Sequence, residues 1–416
     1  MDIILETLFL SLLGVAIGIA MGVIPGAHIN NILPILLLVS LSLNLDPYYM
    51  AVLIVSTAMA EIFTNFIPSI FLGAPDESTA LSVLPGHRLL LEGRGYEAIK
   101  LTVIGGIGSL MSSLVFIALL APWFSYLYEI SRPYVQYMIA GVAILMIISE
   151  RKIKKMLSAV LIFFLSGFLG IITLGSSLVP QQNVLFPLLT GMFGLSTIAV
   201  SMFQRSKIPE QKEETEIKIP KNQILKSIVL GTFAGLIVGF LPAIGISEAA
   251  TMVQYIGRTG DASNFLVTLS GINVGNEVFS LISLALVGNP RSGPSVAIQT
   301  LLNDLTFFDV FFFVGVICFV SGIAALSTLY LGKRIPKYLA RIDYRKLCIA
   351  IISFLTIMIF LLTGPFGLLI AFTSTSIGLL CTYLEIKRSH CMACLLLPSI
   401  LFFSGLSITM ATILRI

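Results

Sequence analysis

The stretch Gly14-x-x-x-Gly18-x-x-x-Gly22-Val23-Ile24-Pro25-Gly26 returns with its spacing intact as Gly231-x-x-x-Gly235-x-x-x-Gly239-Phe240-Leu241-Pro242-Ala243. Both copies lie inside apolar runs. Each is followed at a distance by a second element, Gly73-Ala74-Pro75-Asp76-Glu77-Ser78-Thr79 in the first half and Gly288-Asn289-Pro290-Arg291-Ser292-Gly293 in the second. The first element recurs after 217 residues and the second after 215. A duplicated apolar segment halted by proline, followed by a Gly-x-Pro break, is the pattern expected of a secondary transporter built from two repeats.

Composition agrees. Of the 416 residues 57% are hydrophobic and 11% charged, and the mean hydropathy is +1.00, outside the usual range of a soluble globular chain. Several runs reach the roughly 20 apolar residues that cross a bilayer as helix, and no alternating strands suggest a barrel. The expectation is an all-α polytopic protein with roughly 12–14 membrane segments, two inverted structural repeats, Pro/Gly-broken helices and re-entrant segments. The formal charge of +4 comes from loop lysines and arginines. It reads as topology information, not as a nucleic-acid surface. Asp2 and Glu6 stand where a secretory signal would be basic, so the first run reads as an uncleaved span.

Seven apolar runs, near 4–24, 31–44, 48–64, 99–122, 133–149, 157–174 and 183–202, precede a polar segment from Gln204 to Lys226. Seven come after it, near 226–241, 245–257, 264–287, 306–332, 346–363, 365–384 and 391–412. The division is therefore a first membrane repeat over 1–203, a cytoplasmic linker over 204–225 and a second repeat over 226–416. Lysine and arginine are retained on the cytoplasmic side. The basic loops Arg151 to Lys155, Lys333 to Lys346 and Lys387 to Arg388 should then share that side with the centre and with Arg88 to Lys100. Asn303 to Asp309 carries acids and no base and should lie outside with both termini, giving the halves opposite orientation.

Glycines four apart let a neighbouring backbone approach, and helix packing is the favoured reading of Gly14, Gly18, Gly231 and Gly235. Pro25 and Pro242 should break their helices. The residues just beyond each break are polar for membrane depth: His28, Asn30 and Asn31 in one copy, Ser247 and Glu248 in the other. Glu61 and Asn65 precede the first Gly-x-Pro element, and Asn273, Asn276 and Glu277 precede the second. At the offset of 215, Glu61 falls on Asn276 and Asp76 on Arg291. Ionisable residues between apolar runs mark a pathway or site by default. The candidate substrate-binding groups are thus His28, Asn30, Ser247, Asn276, Asn289, Pro290, Arg291 and Ser292, and the candidate ion-coupling groups Glu61, Asp76, Glu77, Glu248 and Glu277. Asp76 and Arg291 could pair when no substrate is bound. His28 reads equally as a proton relay or as a cap on the broken helix. Cys391-Met-Ala-Cys394 has the spacing of a redox or metal pair but no second ligand pair, and buried cysteine usually serves as a small hydrophobe.

The series Gly73-Ala74-Pro75, Leu84-Pro85-Gly86-His87 and Glu92-Gly93-Arg94-Gly95-Tyr96-Glu97-Ala98-Ile99 resembles the signature of the large membrane subunit of tripartite tricarboxylate transporters. So do Gly22-Val23-Ile24-Pro25-Gly26 and Phe186-Pro-Leu-Leu-Thr-Gly191-Met-Phe-Gly194-Leu-Ser196. The resemblance implies a translocating subunit that takes small carboxylates from an extracytoplasmic binding protein, helped by a small membrane subunit and an ion gradient. It implies that Pro25, Gly26, Gly73, Pro75, Ser78, Thr79 and Gly86 line or shape the site. Members commonly carry Asp-Gly-Tyr-Pro where this chain has Pro85-Gly86-His87-Arg88, and they are usually longer; the chain looks most like a short, divergent branch known mainly from archaea.

The expectation is a permease of the cytoplasmic membrane that moves a small organic anion, coupled to a proton or sodium gradient. It is not an enzyme and needs no cofactor beyond the coupling ion and no structural metal. Its partners are the bilayer, the two accessory subunits and a homo-oligomeric copy of itself, with no nucleic acid. The alternative is a channel or assembly subunit of a multi-component complex without coupled transport of its own. No Walker motif is present to supply direct ATP drive.

Overall fold

The computed structural model describes residues 2–25, 28–30, 32–33, 36, 46–74, 78–180, 183–203, 209, 211, 217, 219–241, 244–257, 261–288, 290–302, 305–339 and 344–406. They are helical, with no strand among them. Among the described residues eight helices are long and apolar enough to cross a membrane: Ile4–Val23, Pro47–Leu72, Gly95–Tyr126, Ile153–Gly175, Lys221–Phe240, Ala262–Val287, Phe308–Pro336 and Cys348–Tyr383. Four shorter apolar helices, Ala80–Leu91, Gln136–Ile148, Leu185–Val200 and Arg388–Phe403, fill the bundle between them. This is a multi-pass membrane protein. Residues 346–363 and 365–384, separate runs in the sequence, join in one helical stretch, Tyr344–Tyr383, that breaks at Gly364 (φ 67°, ψ −165°) ahead of Pro365. Glycine alone adopts that backbone without penalty.

The two glycine stripes build the same helix pair twice. A Cβ on Gly14 would strike Ser56 and the Leu53 carbonyl, on Gly18 the Thr57 carbonyl and Ala60, and on Gly22 Thr64 and the Glu61 carbonyl. In the second half Gly231 presses on Thr268, Gly235 on Gly275 and Asn276, and Gly239 on Phe279 and the Asn276 carbonyl. Leu53 and Thr268, Ala60 and Gly275, Glu61 and Asn276, and Thr64 and Phe279 are each 215 residues apart. The repeat is therefore one of contacts as well as letters. Small residues permit this approach, which supplies dispersion contacts where lipid offers no hydrophobic drive.

The breaks also fall as expected. The first helix ends at Val23, leaving Pro25 buried outside it; the Lys221–Phe240 helix ends two residues before Pro242. Leu241 takes φ −89°, ψ 139°, the extended conformation that a following proline imposes. The halves differ at the next helix. Pro47–Thr64 gives way at Asn65 to Phe66–Leu72, whereas Ala262–Val287 is continuous. Pro68 lacks the N–H that would bond the Thr64 carbonyl, and its counterpart at the offset of 215 is Ser283. Gly73 (φ 64°) and Gly288 (φ 68°) end these helices in the left-handed conformation, the usual glycine C-cap.

Contacts between distant segments define two ends of the bundle. At one, the Tyr48 hydroxyl bonds Asp309 and Ser125 Oγ donates to the Leu286 carbonyl at 3.4 Å. At the other, the Gly95 N–H donates to Gln211 at 2.9 Å, Lys155 meets Glu385, and the Lys387 N–H donates to Glu150 at 3.0 Å. His390 Nε2 lies 2.9 Å from the same Glu150 oxygen. Burial opposes ionisation of Glu150, but the Lys387 N–H and the His390 ring outweigh it and hold the carboxyl below its usual range. At this end too, Arg94 grips the fully buried Glu97 through two parallel bonds of 2.7 and 2.9 Å. Replacing one partner strands the other. Arg94→Gln is expected to cost about 3 kcal/mol and to lower the melting temperature of the detergent-solubilised protein, whereas Arg88→Gln, in an exposed pair with Glu92, should leave it unchanged within about 0.5 kcal/mol.

Candidate functional site

Where the two copies meet, a cavity of about 480 Å³ opens inside the bundle. Each half supplies a wall. From the first come His28, Asn30, Glu61, Asn65 and Ser78; from the second Glu248, Asn273, Asn276, Glu277 and Arg291. The glycine stripes place the central pair, because Gly18 and Gly22 hold the turn carrying Glu61, and Gly235 and Gly239 hold the turn carrying Asn276.

The carboxylates are deeply placed. Glu61 is 1% exposed, Glu248 4% and Glu277 6%. Glu61 Oε2 accepts the Ile29 N–H at 3.4 Å, and Oε1 lies 3.9 Å from His28 Nε2. Because His28 Nδ1 accepts the Asn30 N–H at 3.1 Å, the proton of a neutral imidazole sits on Nε2, facing Glu61. His28 thus caps the chain after the break and stands beside a buried acid. Glu277 Oε1 lies 3.0 Å from the Ser292 hydroxyl, which also accepts the Ser295 N–H at 3.2 Å and so caps the Gly293–Leu302 helix. Ser280 Oγ accepts the N–H groups of Arg291 and Ser292 at 2.8 and 2.6 Å, which fixes the turn that brings Arg291 to the cavity.

Two helices begin at this wall, Ile246–Ile256 with Glu248 in its first turn and Gly293–Leu302 behind Arg291 and Ser292. The partial positive charge of a helix start favours an anion. The cavity therefore offers an arginine and two helix starts to an anion, and three carboxylates to a cation.

Of the residues expected from the sequence, His28, Asn30, Glu61, Ser78, Glu248, Asn276, Glu277, Pro290, Arg291 and Ser292 line this one space. Four others act behind it. Pro25 is buried next to the break, Gly73 ends its helix, the Thr79 carbonyl accepts the Ser69 and Ser82 hydroxyls, and the Ser247 carbonyl accepts Thr251. Gly86 packs on Ile70 and lies away from the cavity. Gly26, Pro75, Asp76, Glu77 and Asn289 lie outside the described residues, and with them the pairing of Asp76 and Arg291. Cys391 and Cys394 are buried in the main apolar cluster, and no group of three metal-ligating side chains gathers among the described residues.

Asn65 and Asn273, noted in the sequence beside Glu61 and Asn276 but not assigned to the site, belong to it. Asn65 Nδ2 donates to Ser78 Oγ at 3.1 Å, and Asn273 Nδ2 donates to the Ser78 carbonyl at 3.2 Å, so one residue from each half clasps Ser78. Asn273 Oδ1, buried, accepts no bond among the described residues. Comparing the copies hides both, since the offset pairs Asn65 with Ser280 and Asn273 with Ala58. The usable signal was an amide one turn from Glu61 or Asn276 on a long apolar helix.

A helical membrane protein with an internal charged cavity between two copies of one helix pair has the architecture of a permease. The chain belongs to the tripartite tricarboxylate transporter TctA family, whose model matches residues 8–393. It is also similar to an uncharacterised protein of Methanocaldococcus jannaschii, 32% identical over 405 residues that cover 94% of this chain and 98% of that one. No solved structure matches.

Proposed function

We propose that the chain is the translocating subunit of a secondary transporter for a small carboxylate, with a proton or sodium ion as the coupling species. The observation that carries this is the joining of Arg291 and two helix starts with three buried carboxylates in one cavity. Buried ionised groups are costly unless a partner neutralises them. An anion held by Arg291 and the helix starts, and a cation held by Glu61, Glu248 or Glu277, neutralise each other's surroundings, so each favours binding of the other.

The repeats supply the movement. We place the start of the first copy of the helix pair at the end of the bundle marked by Tyr48 and Asp309, and the start of the second at the opposite end, which carries the Arg94–Glu97 and Lys155–Glu385 pairs. We read them as inverted repeats, with the cavity on their shared axis and one half rocking against the other. The basic loops gather at the second of these ends, which we assign to the cytoplasm of a cell membrane by charge retention. Family transporters are tripartite, so an extracytoplasmic binding protein and a small membrane subunit are the proposed partners.

The test is a thermal-shift screen of the purified chain against mono-, di- and tricarboxylates, with and without sodium and at two pH values. A ligand at a hundredfold excess over its Kd adds about 2.7 kcal/mol. A carboxylate response that requires sodium or low pH is the expected result. No response to any carboxylate counts against the reading.

A further inference from the structure

A second cavity, of about 420 Å³, opens at the end of the bundle that carries the basic loops. It shares no lining residue with the central one among the described residues. Phe265 lines it and Asn273 lines the other, about 12 Å apart at the helical rise of 1.5 Å per residue. Three cations face it: Arg88, Lys387 and Arg388. Arg88 is exposed and already paired with Glu92 at 3.2 Å, and Lys387 Nζ rests over the Tyr255 ring, 3.0 Å from Ser149 Oγ. Arg388 is different. The sequence places it in a solvent-facing basic loop, yet it is 8% exposed.

Its guanidinium is held by neutral oxygens. One terminal nitrogen donates to Ser196 Oγ at 2.9 Å and to the Thr197 hydroxyl, the other to Thr382 Oγ1 at 2.8 Å. Ser196 and Thr197 come directly after a π-helical turn, Thr190–Leu195, which sets them beside residues 371–378. No carboxylate among the described residues lies within ion-pair distance of Arg388. Asp261 is the one acid lining the cavity among the described residues, and it forms no ion pair with Arg388. Among the described residues the ligands of this buried cation are hydroxyls, which do not neutralise it, and its charge faces a cavity whose mouth carries two more lysine and arginine side chains. Arginine's planar fork suits a carboxylate or phosphate.

We propose that this cavity is a second anion site, in which Arg388 binds the charged oxygens of a carboxylate or phosphate group and Arg88 and Lys387 draw it in. The site makes no use of the central cavity, and its test is arranged so that failure of the transport reading leaves it standing. Radiolabelled citrate is titrated onto the full chain in phosphatidylcholine nanodiscs, in wild type and in an Arg291→Gln background that silences the central site. Citrate binding that persists in Arg291→Gln is expected, and Arg388→Gln should weaken it at least about tenfold, the loss of one charge-assisted contact. Because Arg388→Gln also loses buried hydroxyl bonds, the double variant Arg88→Gln/Lys387→Gln, on the surface, provides a second reading: affinity should fall severalfold and salt dependence should flatten, with an unchanged gel-filtration profile.

A parallel arm asks whether a lipid is the source of the anionic oxygens. Retention of phosphatidylglycerol is tracked by native mass spectrometry of wild type and Arg388→Gln. Arg388-dependent retention, with citrate competing, assigns the site to the headgroup phosphate; citrate binding that phosphatidylglycerol does not reduce assigns it to a free anion. If neither citrate nor phosphatidylglycerol binding depends on Arg388, or on Arg88 and Lys387, the proposal is overturned.

Discussion

Arg291→Gln is expected to weaken carboxylate binding by at least about a hundredfold, the loss of roughly 3 kcal/mol of charge-assisted hydrogen bonding, and to abolish uptake in proteoliposomes. Arg291 is the one lysine or arginine lining the central cavity among the described residues. Its backbone is fixed independently of its side chain, by the N–H bonds that it and Ser292 give to Ser280, so glutamine should leave the turn in place. Arg291→Lys keeps the charge and loses the planar fork, and should fall between, about tenfold down. Two companion variants separate the anion from its coupling. Glu277→Gln retains an acceptor for Ser292 and should remove ion dependence while the anion still binds. Gln299→Ala, outside the cavity, should change nothing. Uptake that survives Arg291→Gln would sink the coupled-anion reading and leave a channel or assembly subunit as the better account.

Why Arg291 could be singled out from letters alone, and Arg388 could not, is a matter of what the chain repeats. The membrane confines ionisable side chains to sites and ends, so Glu61, Glu248, Glu277 and Arg291 stand out against apolar neighbours, and duplication points to the same place twice. The proline breaks result from one missing N–H each and were equally legible. Arg388 sits beside Lys387 in a short basic loop and has no counterpart in the first half. Its guanidinium is held by Thr382 at the end of the preceding helix and by Ser196 and Thr197, which arrive from nearly two hundred residues away. Asn65 and Asn273 stood in view but were left unassigned for a related reason: each half contributes a different residue to the clasp on Ser78, and an argument from sameness passes over what differs. The interruption at Asn65, three residues before Pro68, is one more asymmetry of this kind, where the second half is one uninterrupted helix.

Gly18→Ala and Gly235→Ala test whether the paired stripes carry the fold, and through it the site. An added Cβ at Gly18 would stand 2.3 Å from the Thr57 carbonyl and 3.0 Å from the Glu61 nitrogen; at Gly235 it would stand 2.9 Å from both the Asn276 nitrogen and the Gly275 Cα. Backbone atoms cannot turn aside as a side chain can, so the two helices must separate. Overpacking of this kind costs about 1–3 kcal/mol, with Gly18 at the upper end because its clash is the closer. Two other helical glycines provide the contrast. Nothing lies within 4 Å of a Cβ placed on Gly141 or Gly322, and alanine there should stabilise by about 0.5–1 kcal/mol, since glycine in a helix interior gives up that much to chain entropy. The same substitution should therefore lower the melting temperature at two positions and raise it at two others. Because Gly18 bears on the turn of Glu61 and Gly235 on that of Asn276, the destabilised pair should also lose substrate affinity beyond what the shift in stability explains. Equal effects at all four positions would mean that the stripes are ordinary helix surface, and that something other than their close contact holds the cavity walls together.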